Sequence, residues 1–343
     1  METLHQQFDF NKLCAAYDLG QLTTQPEQIF GGFLHKMYRL TTDRAEYAVK
    51  VLNPQILKRS TAMENYVFAE KVATLAREQG INALPAIVSK GNFMHEVEGR
   101  YVLLFPWVDG KPLSSGTIDI DACEKIAGIL AGIHRIDFSQ LTDEADSAKE
   151  DYVPSTVDWQ SYALKGEQAH LEWSSMLTEY LNKLQQWEQQ ANAAGAALMN
   201  NKVISHRDLD PKNVLWDNNH VPVIIDWEAA GAVNPMQELI EVALYWSGSE
   251  TGNVNKDAFR TMISTYRKHG GKIGDNWHDV LNCGFQGKLD WLSYSIKRSL
   301  GLESTDAAEQ ELGTSQVIPT IQAIADYADF IPVCIEWLEE MES

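Results

Sequence analysis

Short β-rich runs and one helical stretch occupy the chain as far as Phe105, and nearly everything beyond reads as helix. The expected strands are Gln28–Phe33, Lys36–Thr41, Glu46–Leu52, Ala86–Ser89 and Tyr101–Phe105, most of them carrying β-branched or aromatic residues. Thr61–Gln79 is the helix among them. Helices are then expected over Ile118–Ile136, Glu172–Leu198, Asn234–Trp246, Lys256–Lys268, Trp277–Ser299 and Thr314–Glu340. This segregation is an α+β arrangement, not an alternating βαβ sheet. The turn Val108-Asp109-Gly110-Lys111-Pro112 divides the two parts, so a boundary is expected between residues 107 and 108. A chain of 343 residues is long enough for two such lobes.

Two short apolar runs, Lys202–Ser205 and Val221–Ile225, flank the segment that carries chemistry. It reads His206-Arg207-Asp208-Leu209-Asp210-Pro211-Lys212-Asn213, with Asp226 closing the second run. Phosphoryl transfer needs an acceptor for the hydroxyl proton and metal ligands that neutralise phosphate oxygens. Asp208 suits the first role, and Asn213 with Asp226 suits Mg²⁺, a hard cation that prefers oxygen. His206 is expected to orient the loop, since Asp208 already takes the proton.

Composition narrows the partners. Lys and Arg number 28 against 48 Asp and Glu, and the net charge of −20 repels nucleic acid and anionic membrane and attracts a cation. Apolar runs are broken by charge well short of the roughly 18 residues a membrane span requires. Met1 to Asn11 has no apolar core of a secretory signal. Cys14, Cys123, Cys283 and Cys334 show no metal-ligand spacing and read as reduced thiols of a cytoplasmic protein.

The segment HRDLDPKNVLW…VIIDWEAAG…NPMQEL resembles the aminoglycoside phosphotransferase/choline kinase superfamily, which shares the protein-kinase fold. The resemblance runs from about residue 30 to about 245. It implies a bilobal protein-kinase-like fold, with a small antiparallel sheet and one helix in the N-terminal lobe. It also implies ATP, with GTP not excluded, as donor to a small-molecule hydroxyl. Asp208, Asn213 and Asp226 match the family's catalytic and metal positions, and Glu238 stands where the family usually has Asp, in a structural role.

Glu46-Tyr47-Ala48-Val49-Lys50 resembles the V-A-I-K strand whose lysine reaches the α- and β-phosphates. That lysine usually pairs with a Glu on the next helix. Glu64 lies three turns before the apolar Leu75 and shares its face, whereas Glu70 points away, so Glu64 is the expected partner over Glu70. Gly31 and Gly32 would cover the phosphates through their backbone. In the linker, the Pro106 carbonyl and Val108 amide would bond the nucleotide base, with Phe105 as gatekeeper.

Two departures separate the chain from protein kinases. Asp210 stands where Ser/Thr kinases have Lys, and Asp226-Trp227-Glu228 replaces D-F-G with no A-P-E after it. Asp210, Glu228 and Asp290 are candidates to hold ammonium groups of an aminoglycoside-type acceptor, and Trp291 with Tyr294 would suit a cation or sugar. Choline, homoserine and methylthioribose kinases offer a metabolic alternative within the same resemblance. A nucleotide-binding pseudokinase module is the reading from another class, and it conflicts with the presence of Lys50, Asp208, Asn213 and Asp226.

Overall fold

The computed structural model describes residues 8–29, 35–141, 153–249, 252–274, 276–303 and 305–341. The chain groups into two compact units. One comprises Met1–Leu113, Ile136–Glu144 and His206–Gly231, and the other comprises Ser114–Arg135, Ala145–Ser205 and Ala232–Ser343.

The first unit is built on a five-stranded antiparallel sheet of order β1-β2-β3-β5-β4, with β1 Glu27–Ile29, β2 Lys36–Thr41, β3 Glu46–Val51, β4 Met94–Val97 and β5 Arg100–Pro106. Alternation along the strands sends side chains to two faces. Leu40, Val49, Val51, Val102 and Leu104 pack on one face with Leu13, Cys14 and Tyr17 of helix α1, Phe10–Tyr17. Each such fully buried aliphatic side chain contributes about 1.5–3 kcal/mol. The other face carries Lys50, Leu103 and Phe105, and its cluster of Leu52, Leu103 and Tyr66 involves helix α2, Ala62–Glu78.

One expectation fails in this unit. Ala86–Ser89 is not a strand, although the Ile87 amide donates once to the Leu104 carbonyl at 2.6 Å. The fourth strand is instead Met94–Val97, joined to β5 through Glu98 (φ 53°) and Gly99 (φ 74°), the positive-φ pair of a two-residue hairpin. Its sequence, Met-His-Glu-Val, has Val97 as its one strong β-former, too little to signal a strand. Helix α1 was also not anticipated; its eight residues are capped by Asp9, whose side chain accepts the Asn11 amide at 3.0 Å.

Backbone pairing explains why 206–231 groups with the sheet. Within it, β6 Val214–Trp216 and β7 Pro222–Ile224 form an antiparallel pair. Ile224 exchanges hydrogen bonds with Asn82 and Leu84, both at 2.9 Å, and Trp216 pairs with Lys111. A Cβ on Gly110 would stand 3.1 Å from the Trp216 carbonyl oxygen, so glycine permits this close approach.

The second unit is helical: α3 Ile120–His134, α4 Trp159–Gln168, α5 Ser174–Leu198, α6 Pro235–Trp246, α7 Lys256–Lys268, α8 Trp277–Cys283, α9 Phe285–Ser299 and α10 Ala307–Glu339. Helix α4 had not been foreseen, and the helix expected over Trp277–Ser299 divides at Gly284, where the Tyr327 hydroxyl occupies the space a Cβ would need. Helix α10 is long and apolar enough by composition to cross a membrane. Its buried residues Gly313, Val317, Ile321, Ile324, Tyr327, Cys334 and Leu338 form a stripe at helical spacing, and the helix packs against α9. His134 and Glu238 are a buried pair, Nε2 to Oε2 at 2.7 Å, with the Tyr266 hydroxyl 2.7 Å from His134 Nδ1. Glu238 thus joins α3, α6 and α7, a structural role.

Where α9 meets α10, a Cβ on Gly313 would lie 2.6 Å from Arg298 Cβ and 2.7 Å from the Ser295 carbonyl oxygen. Gly313→Ala should therefore destabilise the protein by about 1–3 kcal/mol, read as a lower urea midpoint at unchanged m-value. An unaltered midpoint would show that the two helices separate freely.

Candidate active site

His206 organises the loop that bears Asp208. Its imidazole is fully buried; Nε2 donates to the Ile225 carbonyl at 2.9 Å and Nδ1 accepts the Asp208 amide at 3.2 Å. One neutral tautomer satisfies both contacts. The ring also meets Trp227 edge-on, centroids 4.6 Å apart. The segments around Asp208 and Asp226 are thereby tied together through one side chain.

Asn213 then anchors Asp208 directly. Its Nδ2 donates to Asp208 Oδ2 at 2.9 Å and to the Asp208 carbonyl at 2.8 Å, which leaves Oδ1 as its remaining acceptor. Asp210 caps the short turn Pro211–Asn213 by accepting the Lys212 amide at 2.7 Å, and it pairs with the Lys212 ammonium. That ammonium also stands 3.7 Å from Asp208 Oδ1. Burial pushes the Asp208 carboxyl up to about 6, outweighing the opposing influence of Lys212 and Asn213.

Lys50 lies at the centre of the second cluster. Its Nζ donates to Asp226 Oδ1 at 2.6 Å and to Glu228 Oε2. Burial of the ammonium disfavours its charge, but Asp226 and Glu228 more than offset this and hold its pKa above the usual lysine value. For Glu228, burial raises the pKa, and the His35 hydrogen bond with the Lys50 charge outweighs it and brings the carboxyl to about 2. His35 Nε2 is 3.2 Å from Glu228 Oε2 and 2.9 Å from the Tyr66 hydroxyl, while Nδ1 accepts the Asn53 amide at 3.0 Å. Asp226 holds φ 59° and ψ 60°, a left-handed conformation that costs roughly 1–3 kcal/mol in a residue other than glycine. Trp227, packed on His206, anchors the chain immediately after it.

The expected partner of Lys50 is corrected here. Glu64 is exposed and the lysine is paired with Asp226 and Glu228. The buried residues of α2 are Ala62, Tyr66, Ala69, Glu70, Val72, Ala73, Leu75 and Ala76; at the helical repeat Leu75 falls at the edge of that face, so it is a poor guide to its centre. Glu70, read from the sequence as pointing away, is buried and accepts the Ala86 amide at 2.6 Å. Asp210 and Glu228 are likewise engaged by Lys212 and Lys50 and do not stand open to an acceptor's ammonium. Asp290 accepts from Gln286 at 3.0 Å, and Trp291 and Tyr294 have ring centroids 5.7 Å apart. Glu228, His35 and Tyr66 were not singled out as a set; no local spacing joins positions so far apart.

Phe105 lies on the Lys50 face of the sheet, in the cluster with Leu52 and Leu103. Pro106 ends β5 opposite Tyr47, and the Val108 carbonyl accepts the Gly110 amide at 3.1 Å. Gly31 and Gly32 lie outside the described residues. Among the described residues no group of three or more His, Cys, Asp or Glu is arranged to hold a metal. The Asn213 Oδ1 and the second Asp226 oxygen nevertheless match what Mg²⁺ needs, since that ion takes one or two protein oxygens beside substrate phosphates.

The sequence matches a family model described as "Phosphotransferase enzyme family" over residues 26–270. No curated protein matches it. Among solved structures, a spectinomycin phosphotransferase, APH(9)-Ia, in complex with ADP and spectinomycin is 12% identical, with TM-score 0.71, covering 95% of this chain and 99% of that one. Choline kinase LicA from Streptococcus pneumoniae is 16% identical at TM-score 0.58, covering 93% and 99%. Macrolide 2'-phosphotransferase MphH from Brachybacterium faecium is 13% identical at TM-score 0.52, covering 89% and 98%. These likenesses establish a shared fold.

Burial pushes the Glu70 carboxyl up to about 7, with the Ala86 hydrogen bond opposing. The folded state therefore holds this proton over a range where the unfolded chain has lost it, and stability falls as pH rises from about 4.5 through about 7. Glu70→Gln keeps an acceptor for Ala86 and removes that loss. Relative to wild type, it should gain up to about 3 kcal/mol between pH 5 and pH 8. Parallel urea midpoints for the two proteins at both pH values would reject the assignment.

Proposed function

The chain belongs to the phosphotransferase enzyme family, and we propose that it moves the γ-phosphoryl of ATP to a hydroxyl of a small molecule. The observation that carries this reading is the Asp208 carboxylate, oriented by Asn213 and the His206-anchored loop, in the same unit as the Lys50–Asp226 pair. A carboxyl near 6 is ionised at neutral pH yet basic enough to take a proton during reaction. Asp208 holds the acceptor hydroxyl and accepts its proton as the oxygen bonds to phosphorus, while the bond from phosphorus to the ADP oxygen breaks. The products are the phosphoester and ADP.

Lys50 contacts α- and β-phosphate oxygens in this scheme, taking them in addition to the carboxylates it holds. Asn213 and Asp226 hold Mg²⁺, which when bound neutralises phosphate charge. Gly31 and Gly32 cover the phosphates through backbone amides, the Pro106 carbonyl and Val108 amide bind the base, and Phe105 bounds its pocket. Positioning and fixed charge supply most of the acceleration.

The acceptor class that best suits a protein of net charge −20 is a hydroxylated cation, aminoglycoside-type antibiotics among them. Small metabolic amine alcohols such as choline share that chemistry and form the alternative. A pseudokinase module gains nothing from the site, since Lys50, Asp208, Asn213 and Asp226 are all present and held in place.

A coupled assay with Mg·ATP or Mg·GTP and a panel of aminoglycosides, macrolides, choline, homoserine and methylthioribose tests the reading. Asp208→Asn should lower kcat by about 10²–10⁴ while nucleotide affinity stays nearly unchanged. Asp226→Asn should remove the Mg²⁺ dependence of nucleotide binding, and Glu64→Ala should leave turnover as in wild type. Turnover retained in Asp208→Asn would dismiss Asp208 as the base, and nucleotide binding without turnover for any acceptor would return the pseudokinase reading.

A further inference from the structure

Asp226 and Glu228 both hold Lys50, but they are fixed by different means. Asp226 stands between Ile225 and Trp227, whose contacts with His206 hold the chain on both sides. Glu228 lies in the short turn Trp227–Ala229 that follows, and its side chain is 25% exposed. A carboxylate with that much of its surface in water turns toward solvent unless a second donor holds it.

His35 supplies that donor. Its side chain is only 3% exposed, it immediately precedes β2, and both ring nitrogens are engaged. The Asn53 amide donates to Nδ1 at 3.0 Å, so the ring proton is on Nε2. That proton is shared between Glu228 Oε2 at 3.2 Å and the Tyr66 hydroxyl at 2.9 Å. Asn53 lies just beyond β3 and Tyr66 is on α2, so the imidazole is anchored from two elements before it reaches the carboxylate. Lys50 Nζ donates to the same Oε2. An imidazole N–H and an ammonium thus converge on one oxygen.

The position of that oxygen decides where Lys50 points. An ammonium carries three donors, and two fixed acceptors, Asp226 Oδ1 and Glu228 Oε2, leave the third a single direction. Moving Glu228 swings that donor off its target. We propose that His35 is a positioning residue for nucleotide binding, which acts through Glu228 to aim the Lys50 ammonium at the triphosphate. The inference rests on the role proposed above for Lys50, and it adds to that site a residue far in sequence from Asp208 and Asp226.

The two ring nitrogens can be tested apart. Asparagine places an amide atom where Nδ1 stands, which keeps an acceptor for Asn53 and deletes the donor to Glu228; glutamine places one where Nε2 stands and does the reverse. Calorimetric titration of the full chain with Mg·ATP needs no acceptor and reads the outcome. His35→Asn should weaken Mg·ATP about tenfold or more, the loss expected of a hydrogen bond to a charged group, while His35→Gln stays within about threefold of wild type. Urea midpoints should rank the opposite way, because glutamine strands the Asn53 amide. Glu228→Gln should weaken binding as His35→Asn does, and adding His35→Asn to it should cost less than about twofold more. A carboxylate that only repelled phosphate would instead give tighter binding when neutralised.

Affinity that follows stability across the variants, tighter binding in Glu228→Gln, or full additivity of the two substitutions would each overturn the proposal. Should His35→Asn fail to fold, Glu228→Gln and His35→Gln decide it by the same criteria. The expected affinities without transfer to any acceptor would sink only the proposed reaction. Transfer by the wild type, with Mg·ATP affinity unchanged in His35→Asn and Glu228→Gln, would sink this inference alone, and a wild type that binds no Mg·ATP would sink both.

Discussion

A buried ammonium between two carboxylates governs the sheet-bearing unit. Lys50 projects from the middle of the sheet into a largely apolar layer, where an unpaired charge would be prohibitively costly. Asp226 and Glu228 remove that cost only if 206–231 lies against this face of the sheet. Pairing of Ile224 with Asn82 and Leu84, and of Trp216 with Lys111, supplies the backbone attachment. Breaking one member of such a buried cluster strands the others, so the arrangement specifies position more than it adds stability.

The loop that bears Asp208 inherits its geometry from that docking. His206 spends one ring nitrogen on the Ile225 carbonyl and the other on the Asp208 amide, so the placement of Asp226 and that of Asp208 are linked. Asn213 completes the linkage with two bonds from a single amide group. The strained backbone at Asp226 persists because its flanks are over-determined: Ile225 is bonded to His206 and Asn213, and Trp227 packs on the same imidazole. The helical unit relies on a different device, close approach at Gly313 together with buried polar joints such as His134–Glu238.

Much of the fold was legible locally. Helix α7 carries clear helical periodicity, and it and strand β2 were read with the bounds they have, Lys256–Lys268 and Lys36–Thr41. What failed was short or compositionally weak: Met94–Val97 depends on its hairpin partner, and the eight residues of α1 depend on the sheet they cover. A peptide segment of that length has little structure of its own, because helix nucleation and isolated strand pairing are both unfavourable.

By itself the sequence determined the α+β organisation and the residue types that the structure brings together around Asp208 and Asp226, because HxDxxxxN and the following Asp are spaced along a single stretch of chain. Only the tertiary structure decided which carboxylate Lys50 meets. The choice of Glu64 rested on one apolar anchor of α2, whereas the helix turns its alanine stripe inward and leaves Glu64 exposed to solvent. Glu228 reaches the site from 178 residues after Lys50, and from 193 residues after His35. Charge pairing in a buried layer is settled by distances of a few ångströms, and chain spacing carries no record of them once the partners lie on different elements.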